Sequence, residues 1–87
     1  MTFDVLVDKR AFQHIPAERQ KTILEALNIL KDPYPGGDRQ EIKGKTPKRY
    51  RLKIGKYRAF YIIDEINNKV IVYDILTAEQ AHSKYNR

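Results

Sequence analysis

The chain contains no cysteine. Disulfides and thiolate metal sites are therefore excluded, and the sequence fits a reducing compartment. Only two histidines occur, His14 and His82, far apart and without metal-ligand spacing. There is no glycine-rich phosphate loop and no paired acidic motif. No metal or other cofactor is expected. The longest uncharged apolar run, Ala59 to Ile63, is far too short to span a bilayer, so no membrane partner is expected either. The N-terminus, MTFDVLVDKR, lacks a basic region followed by an apolar one, which points to a cytoplasmic protein.

What is present is a compact amount of chain with an uneven charge. The 87 residues suit one small domain, residues 1–87, with 41% apolar residues to build its core. The formal net charge is +6, and its distribution is the informative part. Residues 39–58 hold nine cations against one acid, Glu41, a local charge of +8, so the rest of the chain sums to −2. A cationic block on a nearly neutral body points to a polyanionic partner, with nucleic acid first.

The pattern predicts an α+β fold. FDVLV, residues 3–7, reads as a strand. Asp8 is an N-cap candidate for a helix carrying Ala11, Phe12 and Ile15 and ending at Pro16. His14, beside Phe12 and Ile15, reads as structural. Pro16 suits the first turn of a second helix running to about Lys31, with Ile23, Leu27 and Leu30 on one face. The two helices are expected to be antiparallel. DPYPGGD, residues 32–38, is a strong breaker, and residues 39–48 read as an edge strand or an irregular basic loop. A three-stranded antiparallel meander follows, over about 49–54, 57–64 and 69–75. Gly55-Lys56 and Asn67-Asn68 form its tight turns. The last ten residues read as a short C-terminal helix or tail. Leu52, Ile54, Ala59, Tyr61 and Ile63 are expected under the helices. Phe60, Ile62, Tyr73 and Ile75 are expected on the opposite face.

A two-residue turn at Gly55-Lys56 sets Ile54 opposite Tyr57, Lys53 opposite Arg58 and Arg51 opposite Phe60. Lys53 and Arg58 are then like charges side by side, an arrangement that costs roughly 0.2–1 kcal/mol. Basic side chains also protect sheet edges, which is reading enough for any single lysine here. Three that converge point instead to phosphate. His82 lies in a polar tail and is a candidate proton carrier or a plain surface residue. Ser83 has no evident base partner, and Tyr85 reads equally as an anchor for the tail or as a catalytic or stacking residue.

NILKDPYPGGDRQEIKG (28–44), YRLKIGKYRAFYIID (50–64), KVIVYDIL (69–76) and a tyrosine near the end together resemble the RelE/ParE toxin superfamily, in its RelE-like branch. The resemblance covers nearly the whole chain in order. It implies the toxin of a type II toxin–antitoxin system, a ribosome-dependent endoribonuclease that cuts mRNA without a metal and inhibits translation. It implies Arg51, Lys53, Arg58 and Tyr85 as catalytic residues, with His82 as a further candidate. Lys43, Lys45, Lys48, Arg49 and Lys56 would then bind nucleic acid. Its implied partners are a RelB-like antitoxin and the ribosome with its mRNA.

The implied reaction is attack of a ribose 2′-hydroxyl on the adjacent phosphate, releasing a 5′-hydroxyl. It needs a base, an acid and cations for the transition state. Close cations lower the pKa of a lysine or tyrosine, which makes Lys53 a candidate acid or base. Arg58, with its planar fork, suits a phosphate clamp. The tail departs from the resemblance, because the stretch before Tyr85 carries no arginine, only His82 and Lys84 as substitutes. Two alternatives stay open: a ParE-like inhibitor of DNA gyrase, and a weakly active or inactive basic nucleic-acid-binding member.

Overall fold

Short alternating runs separated by tight turns build one five-stranded sheet with helices on both faces. The computed structural model describes residues 2–13, 15–44 and 46–85, the Tyr85 side chain excepted. His14 and Lys45 lie outside the described residues. The strands are β1 (Asp4–Val7), β2 (Arg39–Ile42), β3 (Arg49–Ile54), β4 (Tyr57–Asp64) and β5 (Lys69–Thr77). The helices are α1 (Ala17–Ala26) and α2 (Ala78–Tyr85). The sheet order is β1-β5-β4-β3-β2, with β1 parallel to β5 and the other pairs antiparallel.

The α+β class, the N-terminal strand, the meander and the C-terminal helix match the sequence pattern, and β3 and β4 fall on their expected bounds. The sheet is wider than a separate strand plus meander, because β1 and β2 join it at opposite edges. The first of the two expected helices takes a tighter form. Asp8 does cap it, accepting from the Arg10 amide at 2.9 Å. However, the segment before Pro16 is too short for cooperative α-helix. It closes successive three-residue bonds instead, from Ala11, Gln13 and Ile15 to Asp8, Arg10 and Phe12, around a 3₁₀ turn at Lys9–Phe12. α1 then starts one residue after Pro16 and passes into a 3₁₀ turn at Leu27–Lys31.

Ile23, Leu27 and Leu30 bury their shared face against Leu52, Ala59, Tyr61, Val70 and Val72. Ile54, Ile63 and Tyr57 are half-buried beside them. The Tyr61 hydroxyl donates to the Pro33 carbonyl at 2.7 Å, which ties the sheet to the loop after the helices. Arg39 holds the same loop, donating to the carbonyls of Asp32 and Gly36 and pairing with the Asp32 carboxylate.

One feature of β5 changes which face its residues occupy. A bulge opposite Phe60 and Tyr61 pairs them with Asp74 and Val72, leaving Tyr73 as the extra residue. The alternation therefore shifts by one beyond Tyr73. Ile75, expected on the far face, pairs with Ala59 and belongs to the main core. Asp74 takes the far-face position instead. On that face Phe60 is 1% exposed and Ala81 of α2 is 6% exposed, so α2 covers that end of the sheet.

Candidate functional site

Gly55, at φ +54°, opens the two-residue turn between β3 and β4. This backbone conformation is costly for residues with a Cβ. The turn fixes the register anticipated from the sequence: Ile54 with Tyr57, Lys53 with Arg58, Arg51 with Phe60. Arg51, Lys53 and Arg58 consequently line one open pocket of about 450 Å³. Its floor is β3 and β4, one wall is the edge strand β2, and the other is α2.

Each cation is held differently. The Arg51 guanidinium donates to Oε1 of Gln40 at 2.9 Å, across the β2–β3 pair. Arg58 turns back on its own hairpin, donating to the carbonyls of Gly55 and Tyr57, both at 2.9 Å. Lys53 is exposed, and its backbone amide donates to the Asp38 carbonyl at 2.9 Å. Among the described residues the ion pairs are Asp8–Arg10, Asp32–Arg39 and Asp74–Lys84. Among the described residues, therefore, no carboxylate forms an ion pair with Arg51, Lys53 or Arg58. These three bring positive charge to the pocket.

The α2 wall begins with a capping box. The Thr77 amide donates to Oε1 of Gln80 at 3.0 Å, and the Gln80 amide donates to the Thr77 hydroxyl at 3.2 Å. The Ala78 amide also donates to the Lys56 carbonyl at 2.8 Å, fastening the helix to the hairpin turn. Near its other end Lys84 pairs with Asp74 at 2.7 Å. Ala78, Ala81 and His82 share the helix face that lines the pocket, at three- and four-residue spacing. The sequence-predicted His82 is thus brought to the cations. Tyr85 ends α2 three residues later, and its side chain lies outside the described residues.

The remaining basic residues separate. The Arg49 guanidinium lies 4.9 Å from the Tyr73 ring centroid on the cationic face. Burial raises the pKa of Tyr73, and the charge of Arg49 opposes that rise. The Lys56 ammonium lies 5.7 Å from the ring of Tyr57, which packs against the main core, and Lys56 is not among the described residues that line the pocket. Lys43 and Lys48 are exposed on either side of the β2–β3 connection.

Sequence reasoning missed the β2 wall. Asp38, Gln40 and Ile42 all line the pocket, as does Phe60 on β4. The signal was the alternation of these three residues, obscured because 39–48 reads as strand or loop. Among the described residues no group of three or more His, Asp or Glu side chains could hold a metal ion, and no helix is long and apolar enough to cross a membrane.

A family model for the ParE toxin of type II toxin–antitoxin systems (parDE) matches residues 7–82. No match was found among curated proteins. Among solved structures, the chain is similar to a chain of the archaeal RelE–RelB complex from Pyrococcus horikoshii OT3. That likeness has 25% identity and a TM-score of 0.68, and covers 88% of this chain and 96% of that one. A free double-arginine variant of the Escherichia coli toxin RelE gives 19% identity and a TM-score of 0.72, with 94% and 90% covered. A RelBE toxin–antitoxin complex from Mycobacterium tuberculosis gives 17% identity and a TM-score of 0.72, with 88% and 99% covered. The last two likenesses bear on the fold alone.

Proposed function

The chain belongs to the ParE toxin family of type II toxin–antitoxin systems and has a RelE-like fold, and from that premise we propose that it is an endoribonuclease that cuts mRNA on the ribosome. The observation that supports this reading is the convergence of Arg51, Lys53, Arg58 and His82 on one pocket, with no carboxylate closing on the three cations among the described residues. Like charges held side by side are unfavourable until a phosphate arrives between them.

In this reading Arg58 clamps the scissile phosphate. Its contacts with the Gly55 and Tyr57 carbonyls orient the guanidinium before substrate binds, so little reorganisation is needed as charge develops. Arg51, steadied by Gln40, carries charge on the same side. Lys53 stands between them on β3. Attack of the ribose 2′-oxygen forms a bond to phosphorus, the bond to the 5′-oxygen breaks, and a 2′,3′-cyclic phosphate and a 5′-hydroxyl result. His82 takes the position of proton carrier, and Tyr85, one helical turn on, that of a stacking or proton-transfer group. Arg49, Lys43, Lys45 and Lys48 would meet flanking phosphates. No step calls for a metal.

The toxin would act in the cytoplasm and be neutralised by a RelB-like antitoxin, a partner that the RelE–RelB complex of the archaeal relative supports. The +8 block would speed that association. The alternative reading, gyrase poisoning, is not favoured by the RelE-like fold. Primer extension on mRNA after induction separates the two. Cuts inside translated codons, absent on naked RNA, are expected. DNA breakage with intact mRNA would favour gyrase instead.

A further inference from the structure

Among the described residues that line the pocket one is anionic, and the reaction has a use for it. We propose that Asp38 is the general base that removes the 2′-hydroxyl proton, working across the pocket from His82 as general acid. This rests on the ribonuclease reading above.

Four observations carry it. Asp38 lines the pocket from the β2 edge, whereas His82 lines it from α2, which packs on β4 and β5 at the other side. Two strand spacings separate β2 from β4, roughly 10 Å, with Arg51 and Lys53 on β3 between them and Arg58 on β4. In-line displacement needs its proton acceptor and proton donor on opposite sides of the phosphorus, and residues on opposite walls of one pocket meet that need when a phosphate lies between them. Second, the backbone of Asp38 is fixed. Gly36 and Arg39 exchange two backbone hydrogen bonds of 2.9 and 3.0 Å around Gly37-Asp38, and the Asp38 carbonyl accepts from the Lys53 amide.

Third, Asp38 and Lys53 are thereby neighbours across the β2–β3 pair, yet their charges do not close into an ion pair. The carboxylate is left to accept a proton. Facing it are Lys53 and Arg51 from β3, Arg58 from β4 and His82 from α2. Fourth, a carboxylate beside a phosphate site opposes phosphate binding, so its place here calls for a role other than holding the anion.

In the step, Asp38 takes the proton from the 2′-hydroxyl as the 2′-oxygen bonds to phosphorus. His82 gives a proton to the departing 5′-oxygen. Asp38 ends with one proton more and His82 with one fewer, and exchange with water restores both.

The test uses ribosome complexes carrying mRNA with either an ordinary linkage or a 5′-bridging phosphorothiolate at the cleavage position. The thiolate leaves without a proton, so a missing acid is bypassed and a missing base is not. Asp38→Asn is expected to slow single-turnover cleavage roughly 10²–10⁴-fold on both substrates. His82→Ala is expected to be slow on the ordinary linkage and fast on the phosphorothiolate. Asp38→Glu, which keeps the carboxylate, is expected to recover part of the rate. Urea denaturation should show every variant cooperatively folded under the assay conditions. Wild-type rates for Asp38→Asn, or its rescue by the phosphorothiolate, would overturn the assignment while leaving the ribonuclease reading intact. A wild-type protein that cuts neither substrate would overturn both.

Discussion

Lys53 and Arg58 are direct partners across the β3–β4 hairpin, two cations on neighbouring strands that both line the same pocket. Cβ atoms in such pairs lie roughly 4.5–5.5 Å apart. Like charges so placed are unfavourable in the free protein, and on the proposed function they become useful when an anion is bound.

Removing one charge should therefore stabilise the protein and disable it. Lys53→Gln is expected to raise the unfolding free energy by about 0.2–1 kcal/mol, the usual size of a cross-strand pair effect. The same variant should lose RNA cleavage. Urea denaturation at low salt measures the first effect and a cleavage assay the second. A variant that is less stable than wild type at low salt would show that Lys53 has a structural partner.

Arg58→Ala should abolish growth inhibition, with cleavage down roughly 10²–10³-fold, the usual loss when one transition-state donor is deleted. It also removes two hydrogen bonds to the hairpin carbonyls. Each contributes about 0.5–1.5 kcal/mol at most when shielded from water. Some loss of Tm is expected, without unfolding at growth temperature. Arg58→Lys keeps the charge and loses the fork, so partial activity is expected. Full toxicity in a well-expressed Arg58→Ala strain would remove Arg58 from the site.

The hairpin register depends on Gly55. A β-branched residue at φ +54° costs about 1–2 kcal/mol. Gly55→Val should lower stability by that amount and loosen the alignment of Lys53 with Arg58, so cleavage falls more than stability does. No atom lies within 4 Å of a Cβ built there, so the loss is conformational and not a clash. A Gly55→Val protein with unchanged midpoint would contradict this.

The core makes a prediction about alkaline pH. Burial pushes the Tyr61 hydroxyl far above the usual tyrosine range, and the nearby charge of Arg39 only partly offsets it. A group whose pKa is higher in the fold stabilises the protein below its unfolded pKa, about 10 for tyrosine. That stabilisation is lost as pH rises from there through the folded value. Tyr61→Phe should lose about 0.5–1.5 kcal/mol at neutral pH with its bond to Pro33. Its stability should then fall less steeply than wild type above pH of about 10. Tyr34 and Tyr73 also have raised pKa values and titrate in both proteins, so the difference isolates Tyr61. Parallel curves would contradict its buried, neutral state.

The part of the site that was legible in the sequence is the part set by local chemistry. Gly55-Lys56 dictates a two-residue turn, and a two-residue turn dictates every pair in the hairpin. The spacing of Ile23, Leu27 and Leu30 likewise announced the face that meets the sheet. What escaped reading depends on neighbours distant in sequence. The bulge at Tyr73 moves Ile75 into the core and Asp74 onto the cationic face, and no residue there signals it. The parallel pairing of β1 with β5 joins opposite ends of the chain. The β2 wall, with Asp38 and Gln40, becomes visible only once β3 is beside it. The C-terminal helix, by contrast, carried a readable start in Thr77 and Gln80, whose spacing is that of a capping box.

The most direct measurement is the chemistry of RNA ends in cells after induction, mapped for the wild type and for a folded Arg51→Ala/Lys53→Ala/Arg58→Ala variant. Wild-type cells should accumulate 2′,3′-cyclic phosphate and 5′-hydroxyl ends inside translated codons, and the triple variant should not. The same ends at the same abundance from the triple variant would contradict a catalytic role for this pocket.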